Sequence, residues 1–470
     1  MNKNLLYILV LMSVLGACKT SSNDLNQPID ATEEYAGGEN FTTFDFSENA
    51  FGEEGKNITS TESNQFVVGN SLFRANWVTA PSSVQSLDGL GPIFNGISCG
   101  SCHFKDGRAK PPQTASEPLN GLLFRMSVGL DNIGNAIPEP NYGGQFQDKA
   151  VTTANLGVLR EGGVSVSYEE ISGNYADGMP YTMHKPIYNF IGLNYGAFDA
   201  NMMYSPRIAQ QIPGLGLLEN IPESIILALS DENDSNNDGI SGKANMVWNV
   251  EKQALSLGRF GWKANIPTLK QQTAGAFNGD IGITTSIFPK HDLTTNQQNM
   301  YANIPNGGNP EVDDNALEKI VNYVKMLSVP ARRDFKDTEV LQGKTIFTNL
   351  KCGSCHYEKF ETGNNSPIVA LNNQKIRPYT DLLLHDMGAG LADNRPDYKA
   401  TGTEWRTPPL WGIGLLQTVN NHTFLLHDGR ARNVEEAILW HSGEAEKSKN
   451  DFKKLSSQER KNLIKFVNSL

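Results

Sequence analysis

The chain has 470 residues, of which 40 are Lys or Arg and 51 are Asp or Glu, so its formal net charge at pH 7 is −11. A chain of this length can form two or three hydrophobic cores, and its acidic balance argues against nucleic acid as a partner while fitting a cationic redox protein. Beyond the N-terminus, no apolar run is long enough to span a bilayer.

The N-terminal residues 1–18 have the features of a bacterial export signal. Lys3 precedes an apolar run over residues 5–15, which is too short to span a membrane stably. The run ends in Leu15-Gly16-Ala17-Cys18, which resembles a lipobox, the motif in which cleavage exposes a cysteine that is then acylated. We therefore expect a lipid anchor at Cys18 that holds the protein to the periplasmic face of a bacterial membrane. A cysteine that merely ends a cleaved signal is the alternative.

Residues 19–62 differ in composition from the rest of the chain. They are rich in Ser, Asn, Asp, Glu and Gly and poor in aliphatic residues. Such a composition is typical of segments that cannot bury enough apolar surface to fold. The sequence therefore predicts a flexible tether between the anchor and the first folded domain.

Every cysteine except Cys18 lies in one of two copies of a short motif, Cys99-Gly100-Ser101-Cys102-His103 and Cys352-Gly353-Ser354-Cys355-His356. In such a motif the two thiols can add to the vinyl groups of a haem while the histidine ligates the iron. A thioredoxin-like dithiol would explain each cysteine pair but not the histidine that follows it. The sequence therefore predicts two covalently bound c-type haems, with His103 and His356 as iron ligands, and leaves no cysteine for a disulfide.

An acidic loop at residues 231–240 has the ligand spacing of a calcium site. Gly239 allows the turn that an EF-hand-like loop requires, but the twelfth position is Asn245 rather than a bidentate glutamate. A solvated acidic loop is the alternative to a structural calcium site. The predicted calcium ligands stand at alternate positions of the loop, namely Asp234, Asn236, Asp238 and Ile240.

Apolar periodicity predicts three helices. Residues 314–327 place apolar side chains on one face and are followed by Pro330, which stops a helix. A second amphipathic helix over residues 340–347 leads into the second Cys-x-x-Cys-His motif. Ser456 and Glu459 form a capping box for a closing helix at the end of the chain.

The segment between the two motifs is dense in Gly, Pro and Asn, which predicts long loops around the cofactors. We expect a mainly α protein of two cytochrome c-like domains with long loops. The N-terminal haem domain would cover residues 63–330 and contain a large insertion with the predicted calcium loop. A linker at residues 329–333 would lead to a C-terminal cytochrome c domain over residues 331–470.

The chain resembles the di-haem oxidoreductase family, also labelled thiol oxidoreductase, a branch of the di-haem cytochrome c peroxidase superfamily. The resemblance covers nearly the whole chain after the export signal and implies two haems and redox chemistry. The segments that carry it are residues 94–99, 214–219, 257–264, 382–388, 404–412 and 427–431.

The resemblance implies a second axial ligand for the C-terminal haem. In the related peroxidases, an Asp-Gly-Arg segment is followed by a helix whose end supplies Met or Tyr to the electron-transferring haem. Here the corresponding helix ends at His441, so the second haem would be ligated by His356 and His441. Methionine ligation raises the potential of a haem, so this departure implies a lower potential. An ordinary helix-end histidine is the alternative, and His427 and His385 are competing ligands.

The resemblance also implies a distal pocket over the first haem. The peroxidases place a tryptophan between the haems, then a glutamine, then a glutamate that acts as acid and base. Here Trp262 would conduct electrons, and Gln272 and Asp280 would line the pocket, with Asp280 moving protons during peroxide cleavage. Aspartate replaces glutamate, its gap from the glutamine is two residues shorter, and Gln271 competes with Gln272. A core tryptophan and a solvated turn are the alternatives.

The sequence does not determine the sixth ligand of the first iron. Met126, Met183 and His184 are candidate ligands, and a five-coordinate iron is equally compatible with the sequence. An open iron permits peroxide or dioxygen chemistry, whereas two strong ligands leave mainly electron transfer.

Peroxide reduction at the first haem, with electrons arriving through the second haem and Trp262, is the function that the resemblance favours. The electrons would come from a small redox protein or a quinol-linked donor. Two alternatives stay open, namely oxidation or oxygenation of a small organic substrate and a non-enzymatic di-haem electron carrier.

Overall fold

The computed structural model describes residues 30–152 and 157–470. The predicted export signal, the lipid anchor at Cys18 and the first part of the predicted tether lie outside these residues. None of the helices in the described ranges combines the length and the apolarity that a membrane crossing requires.

Helices account for 30% of the chain and strands for 18%, so the mainly α, two-domain description stays a prediction. The helices of the described residues are α1 (Ser60–Arg74), α2 (Cys99–Cys102), α3 (Leu215–Glu219), α4 (Glu223–Ala228), α5 (Leu269–Ala276), α6 (Thr295–Tyr301), α7 (Asp314–Met326), α8 (Thr338–Asn349), α9 (Leu416–Asn420), α10 (Val434–Trp440), α11 (Glu446–Phe452) and α12 (Ser457–Ser469). The three helices predicted from periodicity are confirmed as α7, α8 and α12, and the capping box of Ser456 and Glu459 is present.

The strands pair two by two, and no larger sheet forms in the described ranges. Their bounds are β1 (Thr42–Thr43), β2 (Ile93–Phe94), β3 (Leu122–Ser127), β4 (Gly129–Leu130), β5 (Ala136–Ile137), β6 (Lys149–Ala150), β7 (Gly163–Asn174), β8 (Pro180–Ile191), β9 (Met203–Ile208), β10 (Met246–Asn249), β11 (Ala254–Leu257), β12 (Val329–Pro330), β13 (Phe360–Glu361), β14 (Lys375–Ile376), β15 (Leu384–Asp386) and β16 (Glu404–Arg406).

One helix crossing occurs twice in the chain. In the first half α1 crosses α7, and in the second half α8 crosses α12, each time with a glycine at the closest approach. A Cβ on Gly69 would lie 2.2 Å from the carbonyl oxygen of Lys319, and a Cβ on Gly343 would lie 2.0 Å from that of Asn462. Each crossing stands beside one Cys-x-x-Cys-His motif, since α1 contacts α2 and α8 contacts the turn at Cys352–Ser354.

Two large hydrophobic clusters form the core, and each surrounds one motif. Cys99 packs against the first cluster, which contains Phe73 and Phe277. Cys352 packs against the second cluster, which contains Phe347 and Trp440.

Residues 30–62 pack into the fold rather than form the flexible tether predicted there. Phe41 and Phe51 are fully buried, and Glu33 pairs with Arg332 and with Lys344. Strand β1 pairs in parallel with β12, so the segment predicted as a linker is also buried. Local composition missed this because the few apolar residues of the segment fill a core built by the distant halves of the chain.

The insertion between the motifs contains a long hairpin in addition to the predicted loops. Strands β7 and β8 pair over twelve residues, and the hairpin reaches the C-terminal half. The Tyr188 hydroxyl donates to Asp428 at 3.1 Å, and Arg460 contacts Asp177 at 2.9 Å. The hairpin therefore joins the insertion to the helices around the second motif.

Candidate functional site

The first motif lies at the edge of a cavity in the first half of the molecule. Ser98 caps the short helix α2, and His103 follows the helix directly. His103 Nδ1 lies 2.7 Å from the carbonyl oxygen of Gln210. A carbonyl only accepts, so Nδ1 carries the hydrogen and Nε2 is free to bind a metal.

The second motif lines a second cavity in a related way. His356 Nδ1 donates to the carbonyl oxygen of Tyr379 at 3.0 Å, and His441 Nδ1 donates to that of Ala437 at 2.6 Å. The centroids of the two imidazole rings lie 6.5 Å apart, with the ring planes tilted by 42°. Burial, and then the neighbouring His441, lowers the pKa of His356 to about 4, so His356 is neutral at pH 7, as metal ligation requires.

The residues of both cavities fit a c-type haem. The four cysteines of the motifs are free thiols, so all of them are available for thioether bonds. Imidazole nitrogens bind metals at about 2.0 Å, so two rings on opposite sides of one iron have centroids about 6 Å apart. The pair His356 and His441 meets that spacing.

His385 and His427, the competing ligands, are placed differently. His385 lies between Asp381 and Glu444, with each ring nitrogen 2.7 Å from a carboxylate oxygen. Although burial opposes it, these two carboxylates raise the pKa of His385 well above its ordinary value, so the ring is a cation at pH 7 and cannot ligate iron. His427 stacks on Trp405 with centroids 3.8 Å apart.

Asp280 lines the first cavity with two polar partners. A π-helical turn at Phe277–Ile281 follows α5 and directs Asp280 to this place. Gln145 Nε2 donates to Asp280 Oδ1 at 2.9 Å, and Arg125 Nη2 lies 3.9 Å from the same oxygen. Burial raises the pKa of Asp280, and the charge of Arg125 partly offsets that effect. The group is thus an acid that can hold a proton closer to neutral pH than a solvated aspartate can.

The side chains of the two neighbouring glutamines, Gln271 and Gln272, point in different directions. Gln272 lines the first cavity. The Gln271 side chain accepts from Val250 N at 2.9 Å and donates to the Trp248 carbonyl oxygen at 3.0 Å, so it points away from the cavity.

Trp262 lines both cavities. Its indole Nε1 donates to the Ile208 carbonyl oxygen at 2.9 Å, and the Arg108 guanidinium lies over the ring at 5.2 Å from the centroid. The structure therefore brings Trp262, Gln272 and Asp280 to one cavity, as the sequence analysis expects.

The three candidate sixth ligands of the first iron lie elsewhere. Met126 points into the core on the opposite face of β3 from Arg125, and Met183 and His184 belong to the hairpin strand β8. Among the described residues that line the first cavity, His103 is the sole imidazole, and no methionine, tyrosine or lysine accompanies it.

The predicted calcium loop closes on its own backbone. Asp234 Oδ1 accepts from Asp238 N at 3.0 Å, and Asp238 Oδ1 accepts from Ile240 N at 3.0 Å. Asn236 Oδ1 also accepts from Asp238 N. In the described part of the chain, the group of three metal-ligating side chains within 4.8 Å is a different one, formed by Cys355, Asp381 and His385.

The sequence analysis did not predict three residues at or near the first cavity. Arg125 and Gln145 surround Asp280, and Asp292 lines the same cavity, where burial raises its pKa. Arg125 stands on β3, far from Asp280 in the chain. The alternation of β3, with Leu123 and Arg125 toward the cavity, would have suggested it only once the strand was known.

A family model described as "Di-haem oxidoreductase, putative peroxidase" matches residues 30–470, nearly the whole chain. A search of curated proteins finds no match for this chain.

Proposed function

This chain belongs to the di-haem oxidoreductase family, and on that premise we propose that it reduces hydrogen peroxide at the first haem with electrons passed through the second. The observation that carries the proposal is the difference between the two cavities. The second cavity holds two imidazoles with ring centroids 6.5 Å apart, which would both ligate the iron of the second haem and leave no position for peroxide. The first is lined by one imidazole, His103, and by the charged side chains of Arg125 and Asp280, and Gln145 donates a hydrogen bond to Asp280.

The overall reaction takes one peroxide, two protons and two electrons to two waters. A haem held by Cys99, Cys102 and His103 would supply the redox chemistry of this reaction. Asp280 accepts the proton of the oxygen that binds and returns it to the oxygen that departs. Gln145 holds the carboxylate through its hydrogen bond, and the Arg125 guanidinium stabilises the negative charge that develops on the departing oxygen.

Trp262 is the proposed contact for electron transfer between the haems. Its ring lines both cavities, and its hydrogen bond to Ile208 fixes its orientation. The electrons would arrive from a small redox protein or a quinol-linked donor. The net negative charge of the chain would favour a donor protein with a positively charged surface.

We further propose that both haems are covalently attached, through Cys99 and Cys102 and through Cys352 and Cys355. Covalent attachment of this kind requires export, which agrees with the lipobox-like sequence before Cys18 and with a lipid-anchored protein on the periplasmic face of a bacterial membrane.

Two structural proposals accompany this function. Each half would be a cytochrome c-like domain, because each pairs one motif with one glycine-centred helix crossing. The loop with Asp234, Asn236, Asp238 and Ile240 would bind calcium as a structural ion, because its side chains stand at alternate positions of a tight turn.

Electron paramagnetic resonance of the oxidised and the half-reduced protein, followed by peroxide, tests the proposal. We expect a high-spin ferric signal from the first haem that peroxide consumes. Two low-spin signals that persist and ignore peroxide would contradict peroxide reduction and favour electron transfer alone. A high-spin signal that peroxide leaves unchanged would also contradict it and would favour oxidation of an organic substrate.

A further inference from the structure

Arg406 is the one charged side chain among the described residues that lines both haem cavities. It ends strand β16 and is only 4% exposed. Its backbone N–H donates to the carbonyl oxygen of Trp262 at 2.9 Å, so it stands directly beside the residue that both cavities share. Its position is therefore between the two cofactors.

The Arg406 guanidinium has no carboxylate partner in the described part of the chain. Nε donates to the Gly261 carbonyl oxygen at 2.8 Å, Nη1 to that of Thr407 at 3.2 Å, and Nη2 to Gln210 Oε1 at 3.0 Å. These bonds use three of the five N–H groups. Asp381, the acid whose charge acts on Arg406, is already bound to His385.

Arg108 repeats this situation at the second cavity. It is 4% exposed, donates to the Leu426 carbonyl oxygen, and leaves its buried Nε without a partner. The acid whose charge acts on it, Asp428, is already held by the side chain of Arg430. Two buried cations without paired anions are costly unless a bound group supplies the negative charge.

A haem supplies that charge, because each haem carries two propionate carboxylates. We propose that Arg406 is a shared carboxylate-binding site that contacts a propionate of each haem, with Arg108 as a second guanidinium for the haem in the second cavity. The two free N–H groups of Arg406 allow one charge-assisted hydrogen bond to each propionate, and Arg108 has enough free donors to bind a carboxylate through two parallel N–H bonds. The site rests on the proposed attachment of haem in both cavities but not on the choice of peroxide as substrate.

The site has an electrostatic consequence for both cofactors. A fixed positive charge beside a haem disfavours the ferric state, which carries one more positive charge than the ferrous state. Arg406 therefore raises the reduction potentials of both haems together, and Arg108 raises chiefly that of the second. Both residues also adjoin Trp262, since the Arg108 guanidinium lies over its ring and the Arg406 backbone N–H donates to its carbonyl oxygen.

Spectroelectrochemical titration of the holoprotein, without peroxide, tests this site. We expect Arg406→Met to lower both reduction potentials, and Arg108→Met to lower mainly the second. The control is Arg259→Met, since Arg259 is also buried and bound to backbone carbonyl oxygens but lies outside both cavities. It should shift neither potential. A shift of only one potential, or of none, in Arg406→Met would overturn the shared site.

Arg406→Lys provides a second measurement that does not depend on the folding of the methionine variant. Lysine keeps the charge but loses the fixed planar arrangement of N–H donors, so the potentials should stay near those of the wild type while the propionate bending bands of both haems shift in resonance Raman spectra. Unchanged bands would overturn the site. A wild-type protein with fewer than two haems per chain would overturn both the proposed attachment and this site, whereas two haems with unshifted potentials would overturn the site alone.

Discussion

Asp280 is the residue on which the proposed chemistry depends most directly. Its carboxylate has a defined hydrogen bond from Gln145 and a nearby cation in Arg125, and burial raises its pKa. A carboxylic acid with these neighbours can accept and return a proton at a higher pH than a solvated aspartate can. The substitution of aspartate for the glutamate of the related peroxidases is therefore compatible with the same role, because neighbouring residues bring it to the cavity.

We expect Asp280→Asn to lower kcat with peroxide about 100-fold to 10,000-fold, because an amide cannot accept and return the proton. Steady-state kinetics with a reduced electron donor measures this. Asp292→Asn changes a carboxylate of the same cavity that lacks the Gln145 hydrogen bond, so it should lose much less. Equal losses in the two variants would assign the proton transfer to the pair rather than to Asp280.

His441 is the residue that should set the potential of the second haem. His441→Met should raise that potential, because methionine ligation favours the ferrous state relative to histidine. His427→Met is the matched control, since His427 lines the same cavity but stacks on Trp405. Redox titration followed at the haem absorption bands measures both variants. An unchanged potential in His441→Met would contradict the ligand assignment.

At the scale of elements, short local segments position the site residues. The π-helical turn after α5 directs Asp280, and α10 ends at His441. The segment at residues 427–431 holds α10 in place, because Arg430 binds Asp428 and lies over the Trp440 ring. The two helix crossings position the two Cys-x-x-Cys-His motifs, because α1 contacts α2 and α8 contacts the turn at Cys352–Ser354.

The glycine at the second crossing should be essential to stability. Gly343→Ala would bring a methyl group to 2.0 Å from the Asn462 carbonyl oxygen, so α8 and α12 would have to separate. We expect a loss of about 1–3 kcal/mol in the free energy of unfolding, as in other overpacked cores. Urea unfolding followed by circular dichroism measures it. Gly144→Ala, where nothing lies within 4 Å of the added methyl group, should leave the stability nearly unchanged.

At the scale of the whole molecule, contacts from the N-terminal half and the insertion hold the C-terminal half. Residues 30–62 and the hairpin of β7 and β8 both contact the C-terminal half. Glu444 makes a further contact between the two halves. The Glu444 carboxylate accepts from the hydroxyl of Ser241, which directly follows the acidic loop, at 2.7 Å, and it contacts His385, which lines the second cavity. These contacts bury the second cavity from several sides.

The ionisation of Glu444 should make the free energy of unfolding depend on pH in the acidic range. Burial opposes the shift, but hydrogen bonds from His385 and Ser241 lower the pKa of Glu444 from 4.5 to about 2. A lowered pKa stabilises the fold above pH 4.5, and that contribution is lost as the pH falls toward 2. We expect the unfolding free energy to fall by up to about 3 kcal/mol over this window because of Glu444 alone.

Urea unfolding at a series of pH values, compared between the wild type and Glu444→Gln, measures this contribution. The variant should be less stable at pH 7 and should lose less stability below pH 4.5. Glu446→Gln, a change at a largely exposed neighbour, is the control and should keep the wild-type dependence. The same slope in Glu444→Gln and in the wild type would contradict the assignment.

The amino-acid sequence by itself determined the features that depend on adjacent residues. Both Cys-x-x-Cys-His motifs, the family resemblance and the helices α7, α8 and α12 with their caps could be predicted, because haem attachment and helix formation depend on spacings of a few residues.

Only the tertiary structure decided which distant residues meet. It placed Arg125 beside Asp280, turned Gln272 rather than Gln271 toward the cavity, and set Arg406 between the two haem sites. It also packed residues 30–62 into the fold where their composition predicted a tether. The physical reason is that burial and contact are properties of the whole chain path, so a segment or a charge acquires its role from partners that lie hundreds of residues away.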